Sequence, residues 1–163
     1  MKELCIIRHA KSSWEDPALS DRERPLASKG IKDIPLVARE LSAQGLIPDL
    51  VYSSPAVRAY TTAMGICSAL GYPKTEIEKQ ECLYFGAMEE IIQCIRNTPE
   101  RCKRLFLFGH NPTFSELSAL LCPGFHEDMP TCAVAAIQFR DSWKEVQADS
   151  GKLLTFIYPG KLR

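Results

Sequence analysis

The sequence predicts an α/β protein, a three-layer α/β/α sandwich around a mostly parallel, mixed central sheet. Three observations carry this expectation. Short apolar runs of strand length alternate along the chain with longer amphipathic runs of helical period, the pattern of a sheet covered on both faces. Three polar clusters, Arg8-His9, Ser53 to Arg58 and His110-Asn111, each fall just past the C-terminal end of a predicted strand, the edge at which open α/β sheets bind ligands. The composition is that of an ordinary globular protein, with 163 residues of which 45% are hydrophobic and 25% charged. A chain this long buries ~70% of the surface its unfolded form exposes. No repeat, low-complexity tract or linker interrupts it, so residues 1–163 are read as one domain.

The elements follow in order. Leu4–Ile7 is a short apolar run ending at Arg8-His9, a buried strand. Ser28 opens a helix with Ile31, Ile34, Ala38 and Leu41 on one face and Gly45 as its stop, and Pro35 inside it is expected to kink or restart it. Asp49–Ser53 is the next strand. Ser54 and Pro55 supply a cap and a first-turn proline for a helix through Val57, Tyr60, Met64 and Cys67 to Gly71. A short strand is expected near Thr75–Ile77, then a helix from Met88 to Ile95. Arg104–Phe108 is the clearest buried strand. Gly109-His110-Asn111-Pro112 turns it into a further helix, with Asn111 as cap and Pro112 at the first position. Ala133–Phe139 and Leu153–Tyr158 are two last strands that pair as a hairpin and make the sheet mixed.

Charge and cysteine usage narrow the function classes. Lys plus Arg equals Asp plus Glu at 20 each, without the basic excess that nucleic-acid binding calls for. The apolar run at Leu4–Ile7 is too short for a membrane span or a signal-peptide core, and no other stretch reaches the necessary length, so no membrane partner is expected. The seven cysteines form no C-x-x-C pair, which argues against a disulfide framework or a zinc site and places the protein in the cytoplasm. The three histidines share no short ligand spacing, so no metal is expected.

Three clusters remain as candidate chemistry. Arg8-His9 leaves the first strand at the ligand edge. Arg58 sits in the first turn of a predicted helix, where free N–H groups and the helix dipole favour an anion rather than a cation. An arginine there makes sense with a phosphate or carboxylate between them. His110 faces the same edge from the strongest strand. Arg24, in Asp21-Arg22-Glu23-Arg24-Pro25-Leu26, reads from its residues alone as part of a charged surface loop, although Pro25 holds it extended. His126, in a loop-like segment, receives no role.

Taken together, Leu4-Cys5-Ile6-Ile7-Arg8-His9-Ala10-Lys11-Ser12, Asp21-x-x-Arg24-Pro25-Leu26-x-x-x-Gly30, Ser53-Ser54-Pro55-x-x-Arg58-Ala59-x-x-Thr62 and Gly109-His110-Asn111-Pro112 resemble the histidine phosphatase superfamily. Within it the chain is similar to the small SixA-type phosphohistidine phosphatases, a resemblance continued by Leu121-Cys122-Pro123-Gly124. The resemblance implies a phosphoglycerate mutase-like fold without a cap domain, and no cofactor. It implies that His9 attacks phosphorus and carries a transient phosphoryl group, while Arg8, Arg58 and His110 surround its oxygens. It also moves Arg24 into the phosphate-binding set. Superfamily members often have Gly where this chain has Ala10.

The leaving group decides between substrates. An alkoxide needs a proton in the transition state, and the nearby carboxylic acids are Glu81, Glu89 and Glu90, none held by a motif. A phosphohistidine ring leaves readily once protonated. The reading is therefore a metal-independent phosphohistidine phosphatase acting on a phosphorylated protein, for instance a histidine-containing phosphotransfer domain. The 51 residues between Arg58 and His110 leave no room for a substantial cap, so the pocket would be open to such a surface. The alternatives are a phosphomonoesterase acting on a small phosphorylated substrate and a non-catalytic phosphate- or phosphoprotein-binding module. The roles of Lys11 and Ser12 stay open.

Overall fold

The computed structural model describes the whole chain, Met1–Arg163. Six strands form one sheet in the order β3-β2-β4-β1-β5-β6: β1 (Lys2–Arg8), β2 (Leu50–Ser53), β3 (Glu78–Lys79), β4 (Arg104–Gly109), β5 (Val134–Phe139) and β6 (Gly151–Ile157). β1, β2, β3 and β4 run parallel, and β5 runs antiparallel to both β1 and β6. The expected hairpin of the last two strands is present, and it is what makes the sheet mixed.

Alternation along the strands builds the layers. Leu4 and Ile6 of β1 join Leu105 and Leu107 of β4 in a core with α3 (Met88–Arg96) and α4 (Thr113–Leu121). Cys5 and Ile7, with Phe106 and Phe108, point the other way and pack under α1 (Ser28–Ala43) and α2 (Val57–Ala69). Side chains alternate across a strand with period two, so one apolar run feeds two cores. Unbroken burial of Leu4–Ile7 and Leu105–Phe108 follows. The result is the α/β/α sandwich, closed at the C-terminus by one turn, α5 (Pro159–Leu162), beside α1.

Several local expectations are corrected. α1 runs unbroken through Pro35. Proline removes the N–H that would bond the Ile31 carbonyl, but Ile31 is 59% exposed, so water can serve that carbonyl while Ile34, Val37, Ala38 and Leu41 hold the helix to the sheet. Ile31 therefore lies outside the packed face. α2 starts at Val57 rather than Ser54. Its buried face is Arg58, Ala59, Thr62, Ala63, Ile66 and Cys67, not the stripe through Val57, Tyr60 and Met64, because small residues let the helix approach its neighbours closely. Pro112 caps α4 instead of opening it, and Asn111 accepts the Ser115 N–H at 3.0 Å. The Thr75–Ile77 strand is a 3-10 turn, Lys74–Glu76, followed by the two-residue edge strand β3. β6 begins at Gly151, two residues before the expected Leu153.

Candidate active site

The order β2-β4-β1 makes three parallel strands adjacent, so their C-terminal ends bring Arg8-His9, the Ser53–Arg58 turn and His110 to one edge. Backbone bonds fix that edge. The His9 N–H donates to the Gly109 carbonyl and the His9 carbonyl accepts from Cys132, both at 3.0 Å. The Ala10 N–H donates to Thr62 Oγ1 at 3.0 Å, and Thr62 in turn donates to the Arg58 carbonyl at 2.7 Å. Thr62 thus joins the loop that follows His9 to α2. Ala10 does not have positive φ, so the backbone here does not need the freedom glycine brings. Gly30 does need its small size. A Cβ there would lie 2.2 Å from the Lys11 carbonyl oxygen, so α1 packs directly beneath the Lys11-Ser12 loop.

Arg8, His9, Arg24, Arg58 and His110 all line one cavity of about 350 Å³, together with Lys11 and Ser12. His9 Nδ1 lies 2.6 Å from the Ala10 carbonyl oxygen. A carbonyl only accepts, so Nδ1 carries the proton and Nε2 carries the lone pair. His110 Nε2 lies 2.7 Å from Ser54 Oγ, which already accepts the Ala56 N–H at 3.2 Å. His110 Nε2 is the one acceptor within reach of the Ser54 hydroxyl proton, so it takes that bond, which leaves Nδ1–H as a donor. That Nδ1 is buried and has no hydrogen-bond partner in the protein, as are Arg8 Nε and Arg58 Nε. Three buried N–H donors without acceptors in one cationic cavity fit an oxyanion.

Burial, reinforced by the nearby arginines, keeps both imidazoles neutral. The His9 pKa is pushed down to about 4 by desolvation, against its bond to Ala10 and helped by Arg58, Arg8 and Arg24. His110 is pushed down to about 3 by desolvation, then by His9 and Arg58.

Asp21, which heads the Arg24 motif in the sequence but carries no role in the reading of it, organises the cations. Its Oδ1 accepts from Arg24 Nη2 at 3.2 Å, its Oδ2 from Arg58 Nη2 at 3.0 Å and from the Tyr84 hydroxyl at 2.7 Å, and its carbonyl from Arg58 Nη1 at 2.6 Å. Burial would raise its carboxyl, but the bonds from Tyr84 and Arg58 and the charges of Arg58 outweigh it, with Arg24 adding to them, and bring it down to about 2. The only signal in the sequence is the three-residue spacing to Arg24. Arg24 also donates to Ser12 Oγ at 2.7 Å, so it belongs to the cavity and not to a free surface loop. The glutamates lie elsewhere: Glu81 pairs with Arg22, Glu90 accepts the Ala87 N–H at 3.0 Å, and Glu89 borders a separate hollow beside α3. Asp21 is the one carboxylate lining the cavity. His126 is exposed and not among the lining residues. No three His, Cys, Asp or Glu side chains converge as a metal-binding group, and no helix is long and apolar enough to cross a membrane.

Comparison with known proteins gives a consistent picture. Residues 4–117 match the family described as the histidine phosphatase superfamily (branch 1). The phosphohistidine phosphatase SixA of Escherichia coli is 29% identical over 144 residues, covering 86% of this chain and 87% of that protein. An uncharacterised chloroplastic protein of Arabidopsis thaliana is 32% identical over 160 residues, covering 92% of this chain and 72% of its own. Among solved structures, the protein histidine phosphatase SixA complexed with tungstate superposes with a TM-score of 0.86 at 25% identity, covering 99% of each chain. These matches support phosphatase activity of the histidine phosphatase kind.

Proposed function

Because the chain belongs to branch 1 of the histidine phosphatase superfamily, we propose that residues 1–163 form one domain acting as a metal-independent phosphatase of phosphohistidine on a protein, through a phosphoryl group carried on His9. In this reading His9 Nε2 attacks phosphorus, and the bond from phosphorus to the substrate nitrogen breaks with its electron pair returning to the substrate ring. Water then displaces the phosphoryl group from His9, giving orthophosphate and free enzyme. Arg8, Arg24, Arg58 and His110 Nδ1–H hold the oxygens and offset the charge that builds on them. Guanidinium forks suit this geometry better than ammonium groups.

The observation that carries the proposal is the trio of buried, unpartnered donors, Arg8 Nε, Arg58 Nε and His110 Nδ1, beside a neutral His9 whose Nε2 bears a lone pair. Asp21 supports the choice of substrate class. With its carboxyl near 2 it is ionised at neutral pH and has no proton to give an alkoxide. A phosphohistidine ring, protonated on its other nitrogen, leaves as neutral imidazole and needs none. SixA relatives named as phosphohistidine phosphatases agree with that choice. The open cavity suits a phosphorylated side chain on a protein surface such as a phosphotransfer domain.

The test is phosphate release from a phosphohistidine-bearing phosphotransfer domain, comparing wild type with His9→Ala in the presence of a chelator. Chelator-resistant release that disappears in the variant is expected. Hydrolysis of p-nitrophenyl phosphate through His9 without release from phosphohistidine would make the protein a phosphomonoesterase. Turnover of neither would leave a binding module.

A further inference from the structure

Two large aromatic side chains stand at the mouth of the cavity, and the chemistry above uses neither. Trp14 is 74% exposed and Phe85 is 49% exposed, yet both line the cavity that holds His9, Arg24, Arg58 and His110. Each is held by a residue of that cavity. The Arg24 guanidinium carbon lies 3.5 Å from the Trp14 ring centroid. The Phe85 ring stacks on His110 with centroids 4.7 Å apart and planes inclined by 27°.

Phe85 holds this pose at φ 56°, a left-handed conformation that bulky residues rarely adopt. Its neighbour Gly86 closes the turn by donating to the Cys82 carbonyl at 3.0 Å. A Cβ at Gly86 would lie 2.3 Å from that same oxygen. Core burial does not explain a phenylalanine here: half its surface is in water, and Gly or Asn would take this backbone with less strain. Strain of this kind gathers where a side chain must be presented in a fixed place.

Resting on the phosphohistidine reading, we propose that Phe85 and Trp14 form an aromatic collar that recognises the imidazole ring of the substrate and of the leaving group. With the phosphoryl group among the arginines, the ring bonded to it lies at the cavity mouth, where these side chains are. A planar ring gains from offset or edge-on contact with aromatic faces. While still bonded to phosphorus, the ring must be protonated to depart, and it is then a cation facing Arg8, Arg24 and Arg58. Electron-rich aromatic faces favour that cation without adding a carboxylate that would compete for the arginines. The collar therefore selects for a ring on the scissile nitrogen, which a sugar or serine phosphate does not offer.

The test compares two substrates with the same scissile P–N bond, N-phosphorylated histidine and inorganic phosphoramidate, whose leaving group has no ring. The quantity read is the ratio of their kcat/KM values in wild type, Phe85→Asn, Phe85→Tyr and Phe85→Asn/Trp14→Ser. Asn tolerates the left-handed backbone, so that variant keeps the turn. The ratio is expected to fall roughly 5-fold in Phe85→Asn and about 10-fold or more in the double variant, with Phe85→Tyr close to wild type. A wild type active on phosphohistidine whose ratio is unchanged in the variants, or whose two activities fall together, overturns the collar alone. A wild type that hydrolyses phosphoramidate but not phosphohistidine overturns the substrate reading and the collar with it.

Discussion

The two site histidines are kept neutral by burial at a place surrounded by positive charge, and that sets how they titrate. With their pKa values near 4 and 3, both imidazoles remain unprotonated at pH 5, where an exposed histidine is largely cationic. Histidine proton resonances followed by NMR are expected to show His9 titrating near 4. A bound tungstate or phosphate anion favours the imidazolium forms, so its addition is expected to move both titrations upward, and no movement would separate the anion site from His9. Asp21 makes a second prediction at this scale. Its carboxylate bridges Arg24 and Arg58, and Asp21→Asn keeps the shape while removing the charge. Loss of that orientation is expected to lower kcat/KM for phosphohistidine by about 10- to 100-fold. A melting temperature close to wild type would show the loss to be one of positioning rather than of folding.

At the level of elements, the site depends on two contacts that join loops to helices. Gly30→Ala would place a methyl carbon against the Lys11 carbonyl, a backbone atom that cannot swing away. A destabilisation of about 1–3 kcal/mol is expected in urea unfolding, with weaker phosphate binding as Lys11-Ser12 shifts. Thr62→Val leaves the buried Ala10 N–H without its acceptor and is expected to cost about 1–3 kcal/mol, read in the same way. The sequence showed these elements unevenly, for physical reasons. β1 and β4 were legible because a strand buried on both faces is a continuous apolar run. The packed face of α2 was not, because Ala59 and Ala63 carry little hydrophobic weight yet allow the closest approach. A two-residue edge strand such as β3 has no periodicity to read. Arg8, His9, Arg58 and His110 could be gathered from the sequence because they follow strands that end at one edge. Trp14 and Asp21 come from the long segment between β1 and α1 and Phe85 from the turn before α3, and only the path those segments take brings them to the cavity.

The whole molecule inherits an acid sensitivity from the way the site is built. Unfolding exposes His9 and His110 to water, where each takes up a proton with a pKa of about 6.5. In the folded state they resist protonation down to about 4 and about 3. Between those limits the unfolded chain binds more protons than the native one, so stability rises with pH. The full contribution is present above about pH 6.5 and is lost progressively as pH falls toward 4 for His9 and toward 3 for His110. Asp21 adds to the loss below the ordinary carboxylate range, since its carboxyl is held near 2 and its unfolded form takes up protons first. The urea midpoint is therefore expected to be lower at pH 5 than at pH 7.5, with the same dependence of stability on urea concentration. An anion that binds only the folded cavity stabilises the native state, so under the proposed function saturating phosphate or tungstate is expected to recover part of that loss. The His9→Asn/His110→Asn variant has neither group to titrate, so its midpoints at the two pH values are expected to differ much less. Equal differences in variant and wild type would place the acid sensitivity outside the cavity.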